Sequence, residues 1–138
     1  HAPVTGLEAK FSLEFAVASA LVHGRVGLNE LTDSVVNEGP IRALMQRLDI
    51  STDDSRCSVE PIFAMNDRVE VELDDGQVLD TGDIRFARGN AKQVLSEDDM
   101  RIKFMDCTQR QPDLDRDALW SHLSQLEQVP SARLLAAH

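Results

Sequence analysis

The sequence predicts an α+β fold: a small antiparallel sheet with helices packed on it in two layers, opened by a long buried N-terminal helix. Three observations carry this reading. Near the start, Leu7, Phe11, Phe15, Ala18, Leu21 and Val22 recur at spacings of three and four. In mid-chain, Val69, Val71 and Leu73 alternate with Glu70, Glu72 and Asp74, just ahead of the turn pair Asp75-Gly76. Helical patterning then resumes behind a capping residue, Ser96.

The first helix is expected to start at Thr5 or Gly6, with Glu8 in the first turn where the helix dipole favours an anion. Ala16, Ala18 and Ala20 favour helix, and Gly24 reads as its C-cap, flanked by His23 and Arg25. A helix apolar on most faces belongs in the centre of a fold, covered on more than one side. A second helix is expected over Leu28–Val36, ended by "NEGP" at Asn37 to Pro40. Pro40 suits the first turn of a third, "IRALMQRL", whose Ile41, Leu44, Met45 and Leu48 share a face. "LDIST" reads as a short strand and Asp53–Arg56 as a loop.

The hairpin follows, its return strand expected to run on through "DIRFARG", with Ile84 and Phe86 inward, until Gly89 ends it. Ser96, with Asp99 three residues on, opens a helix carrying Met100, Phe104 and Cys107 on one face. A last helix, Asp115 to Gln128, carries Leu119, Trp120, Leu123 and Leu126 within a helical tail over 113–138. Pro130-Ser131 breaks it before "ARLLAAH". The 138 residues, 42% of them apolar, suffice for a single domain with one core.

Composition excludes several function classes. A net charge of −10 opposes binding to nucleic acid or anionic lipid, since both need concentrated Lys and Arg. The apolar run from Phe11 to Val22 is a dozen residues broken by Ser12, Glu14 and Ser19, whereas a membrane span needs roughly 20. Cys57 and Cys107 lie far apart, and His1, His23, His122 and His138 are scattered, so no metal-ligand spacing and no cofactor motif is present. Two reduced thiols in a cytoplasmic protein are the expected state.

Candidates for chemistry are few. Lys10 offers an ammonium and Ser12 a hydroxyl for a substrate carboxylate, at the start of the apolar helix. "FARGNAK" sets Arg88, Gly89 and Lys92 in one loop, without the spacing of a phosphate-binding motif. His23 with Arg25 would suit an anion, although cations at a helix C-terminus are ordinary. The acidic pairs Asp53-Asp54, Asp74-Asp75 and Asp98-Asp99 read as turn and cap residues. Nothing assembles a nucleophile, a base and an orienting group, so no residue is assigned a catalytic role.

The order of the motifs resembles the MmgE/PrpD family, the 2-methylcitrate dehydratase-like proteins. Glu8-Ala9-Lys10-Phe11-Ser12, the apolar helix and the Gly24–Leu28 exit match one family block. "IRALMQRLDI", "VEVELDDGQ", "ARG" and "SEDDMRIKFMDC" look like the later blocks in the same order, from about Thr5 to Cys107. The resemblance implies the C-terminal α+β lid domain of a longer enzyme, preceded there by a large helical domain that holds most catalytic His, Lys and Asp residues. It implies small di- or tricarboxylate substrates: dehydration of 2-methylcitrate, decarboxylation of cis-aconitate or epimerisation of iminodisuccinate. A homodimer, a lid inactive on its own, and Lys10, Ser12 and Arg88 as substrate-binding residues complete that expectation. The loop after Gly89 departs from the family, reading "NAKQVLS" where prolines are common. The competing reading is a free-standing, non-catalytic protein-interaction domain with an open sheet edge.

Overall fold

The computed structural model describes residues 2–52 and 54–136, which form two compact units, 1–50 with 101–138 and 51–100. His1, Asp53 and the last residues of "ARLLAAH", His138 included, lie outside the described residues. Helices and a small antiparallel sheet are both present, as the sequence predicts.

The long N-terminal helix is two helices: α1 (Gly6–Ala9) and α2 (Leu13–His23). Helix propensity runs through the join, but Ser12 takes an extended backbone, φ −106° and ψ 121°, and caps α2 with its side chain. The cap satisfies a first-turn N–H that a continuous helix would have bonded to a carbonyl four residues back. Nor is α2 covered all round. Phe15, Ala18 and Ser19 are buried, while Leu21 and Val22 are exposed. Gly24 ends α2 in the left-handed region, φ 71°, with its N–H on the Ala20 carbonyl.

The expected helix over Leu28–Val36 shrinks to α3 (Asp33–Val36), because the Thr32 hydroxyl takes the Val35 N–H and starts the helix late. The residues before it form a turn held by a side chain. Glu30, only 7% exposed, accepts the Gly27 N–H at 2.8 Å through Oε2 and pairs with Arg25 Nε at 3.0 Å through Oε1. Ser19 donates to the Arg25 carbonyl at 2.9 Å, so the start of the turn is fastened back onto α2. Helix α4 (Gly39–Met45) has proline in its first turn and packs along α2. Ala9, Phe15, Ala18, Val36, Ile41 and Met45 make the core, with Leu31, Val35 and Leu44 against it. No strand forms at "LDIST".

Arg101–Thr108, the later part of α5 (Glu97–Thr108), belongs to this unit, together with α6 (Arg116–Ser124) and two 3₁₀ turns, Leu126–Gln128 and Ala132–Ala136. The inward face of α5 is displaced from the expected one. Phe104, Met105 and Thr108 are half-buried whereas Met100 and Cys107 are exposed. Two contacts set this rotation: the Phe104 and Trp120 rings lie 5.4 Å apart, and Asp106 accepts the Leu28 N–H at 3.2 Å.

In the second unit β1 (Glu70–Glu72) pairs antiparallel with β2 (Val78–Asp80), matching Val71 with Leu79. The turn is the predicted one: Gly76 sits at φ 83°, and Asp75 accepts the Gln77 N–H at 2.9 Å. Arg68 clamps Asp80 through two bonds of 2.9 and 2.6 Å. The return strand does not run on to Gly89. Gly82 turns the chain at φ 62°, leaving a single bridge between Asp67 and Ile84.

Gly6 sits where α1 meets the turn before α3, and a Cβ there would lie 2.3 Å from the Leu31 carbonyl oxygen. Gly6→Ala is therefore expected to destabilise by about 1–3 kcal/mol, since backbone must move. Gly39→Ala, with nothing within 4 Å, stays within about 0.5 kcal/mol or gains slightly. Urea unfolding of the two variants beside the wild type checks the contrast.

Candidate functional site

The turn between α1 and α2 carries two of the three candidate residues. Thr5 and Glu8 make a reciprocal capping box: Thr5 Oγ1 accepts the Glu8 N–H at 3.2 Å, and Glu8 Oε2 accepts the Thr5 N–H at 3.1 Å. The same Oε2 takes the Val4 N–H at 2.8 Å. Three residues after Ala9 the chain caps again. Ser12 Oγ accepts the Phe15 N–H at 3.1 Å and donates to Glu14 Oε2 at 2.7 Å. Lys10 and Phe11 are squeezed between these caps and point outward. Lys10 is exposed, its ammonium without an ion pair among the described residues, and Phe11 is 81% exposed.

Beside this turn lies an open depression of about 340 Å³, lined by Pro3, Val4 and Phe11 on its apolar side and by Glu8, Ser12 and Glu14 on its polar side. Lys10 is not part of that lining. The Val4 and Thr5 N–H groups hold the Glu8 carboxyl below the ordinary carboxylate range, and the Ser12 hydroxyl does the same for Glu14. Both are ionised at neutral pH. Two carboxylates against the one ammonium of Lys10 leave residues 8–14 with a net charge of −1. Such a surface repels a polycarboxylate unless cations from elsewhere offset it.

Arg88 belongs to the other unit. Its guanidinium is paired with Asp99, and Asp99 is itself half of a capping box, accepting the Ser96 N–H at 3.3 Å while Ser96 Oγ accepts the Asp99 N–H at 3.1 Å. The Ser96 start signal is thus as the sequence predicts, with an Arg88 latch added. Ser12 is committed as well, its one hydroxyl proton held by Glu14. Of the three candidates only Lys10 has its donors free within the described chain.

The two cations at the end of α2 are occupied. His23 Nε2 lies 3.0 Å from Glu38 Oε2, and Arg25 is held by Glu30, so neither stands as an open anion site. Cys57 and Cys107 are free thiols. Among the described residues no cluster of three or more His, Cys, Asp or Glu side chains is placed to hold a metal ion, and no helix is long and apolar enough to cross a membrane. Sequence reasoning passed over Glu14 and Glu30. Both carried a signal: Ser12-x-Glu14 places a carboxylate at a capping hydroxyl, and Gly27-x-x-Glu30 repeats the spacing of a capping box.

Comparison with protein families places the chain clearly. The family model described as the MmgE/PrpD C-terminal domain matches residues 1–124. A search of curated proteins gives no match.

Ser12→Ala is expected to cost about 0.5–2 kcal/mol through the lost cap, while Lys10→Ala stays within about 0.5 kcal/mol. Denaturant unfolding distinguishes them. Glu8 and Glu14 are lowered in the folded state, so their contribution is complete above the unfolded carboxylate value of about 4.3 and is lost as pH falls through the folded values. Stability should therefore drop on acidification below about pH 5, and the slope should shallow in Glu8→Gln, which keeps a capping-box side chain. Thermal unfolding across the acidic range reads this out.

Proposed function

The chain belongs to the MmgE/PrpD family as its C-terminal domain, and from that premise we propose that it forms the lid of an enzyme acting on a small di- or tricarboxylate. The reaction type proposed is dehydration, decarboxylation or epimerisation, with the proton-transfer groups supplied outside this chain in a cytoplasmic homodimer. The family match over residues 1–124 carries the reading. The unpaired ammonium of Lys10, presented beside the capped turn, is the local feature that agrees with it.

Each candidate residue has a definable task on this reading. Lys10 is a compact charge with three donors on a flexible stem, suited to meet one substrate carboxylate as the lid closes. Arg88, in the other unit, presents a planar fork that fits a carboxylate in bidentate fashion, with Asp99 orienting one edge of it. Ser12 contributes by fixing where Lys10 stands, and it binds substrate only by releasing Glu14. Closure would exclude water, in which a charge pair at 4 Å is worth only about 1 kcal/mol.

The lid alone should turn nothing over. Among its described residues no nucleophile and base pair is assembled, and its local charge at residues 8–14 opposes a polyanion. Assay of the 138-residue chain with 2-methylcitrate, cis-aconitate and an epimerisable amino dicarboxylate is expected to give no product above background. In the complete enzyme Lys10→Ala should raise KM about tenfold or more, the loss of one charge-assisted hydrogen bond, with Lys10→Arg intermediate. Robust turnover by the isolated chain, or an unchanged KM in Lys10→Ala, contradicts the proposal.

A further inference from the structure

The face around Phe11 is unpartnered, and its chemistry is specific. Within residues 4–13, Val4, Leu7, Phe11 and Leu13 are 53%, 73%, 81% and 66% exposed, while the Phe15 side chain two residues further on is completely buried. Isolated exposed leucines need no explanation, but four large apolar side chains in ten residues, with a depression between Val4 and Phe11, mark a surface that another molecule covers. The polar side of that depression is not neutral: it presents the carboxylates of Glu8 and Glu14.

We propose that this face docks an apolar protein segment flanked by Lys or Arg, an apolar side chain entering the depression beside Phe11 and the cations meeting Glu8 and Glu14. Charge decides the occupant. A second copy of this chain docking through the same face would set Glu8 and Glu14 against their own equivalents, on a chain of net charge −10. An acidic or purely apolar segment would leave both carboxylates desolvated without a countercharge. A basic-flanked segment offsets both, and its cations would leave Lys10 free for an anion. The inference needs only this surface and stands whether or not the carboxylate reading is correct.

The test uses the full chain and a defined probe, an amphipathic peptide of Leu and Lys, with its Leu and Glu counterpart as control. Titrated into isotope-labelled protein, the Leu–Lys peptide is expected to move the amide resonances of Val4, Phe11 and Ser12 and to bind more weakly as salt rises. Phe11→Ser, at an exposed position, should weaken it about tenfold or more. A Glu8→Gln, Glu14→Gln pair should weaken it too and flatten the salt dependence, with the rest of the spectrum unchanged. Absence of binding overturns the proposal. So does binding that ignores Phe11→Ser and spreads over the acidic surface, equal binding of the Leu–Glu peptide, or self-association abolished by Phe11→Ser.

Discussion

One hydrogen bond, from the Phe15 N–H to the Ser12 hydroxyl, sets the course of the first 25 residues. It lets α2 start afresh at Leu13, and that start turns Phe15, Ala18 and Ser19 onto the core. The packing that follows is where the stability of this unit lies, since a buried phenylalanine is worth about 3–5 kcal/mol against alanine. Phe15 shares its core with Val36, Ile41 and Met45, so α3 and α4 inherit their positions from the same start. The other consequence faces outward. The chain caps twice within eight residues, at Thr5 and at Ser12, and the link between α1 and α2 exposes Lys10 and Phe11 while Ala9 stays in the core.

The turn after α2 applies the same device from the other end. Gly24 leaves the helix in the left-handed region, and the buried Glu30 then gathers Arg25 and the Gly27 N–H onto one carboxylate. A Cβ at Gly27 would sit 3.1 Å from an oxygen of both the Glu30 and Asp106 carboxylates, so each of these side chains would have to shift by a few tenths of an ångström to admit one. Backbone donors left over at the starts of five helices are met by side chains, those of Thr5, Ser12, Thr32, Ser96 and Asp115, whereas α4 starts at Glu38 without one. These caps, more than long helices, organise the chain.

Much of this was legible beforehand where one residue type has one physical use. Asp75-Gly76, Gly24, Pro40 and the Ser96/Asp99 box were found where their chemistry put them. Periodicity misled where two good local solutions compete. The spacing of Leu7, Phe11 and Phe15 fits one helix, yet Ser12 is as good a cap as it is a poor helix interior, and the cap wins. The same competition at Thr32 shortened the second helix, and Gly82 interrupted the return strand. Of the site, the positions of Lys10 and Ser12 at a helix start could be read. That Glu14 holds the Ser12 hydroxyl and Asp99 holds Arg88 could not, because such partners are set by side-chain geometry rather than by pattern.

This domain of the MmgE/PrpD family carries an ammonium on one capped turn, a latched guanidinium in its other unit and an acidic, apolar face beside the first turn. The exposure of Lys10 and Phe11 depends on the chain breaking its helix at Ser12, and that break is directly measurable. Backbone chemical shifts of residues 5–24, with amide exchange, should show two helical runs separated by non-helical values at Ser12. The Phe15 amide should be protected in the wild type and exchange faster in Ser12→Ala. Unbroken helical shifts from Gly6 to His23, with Phe15 equally protected in both, would contradict the account.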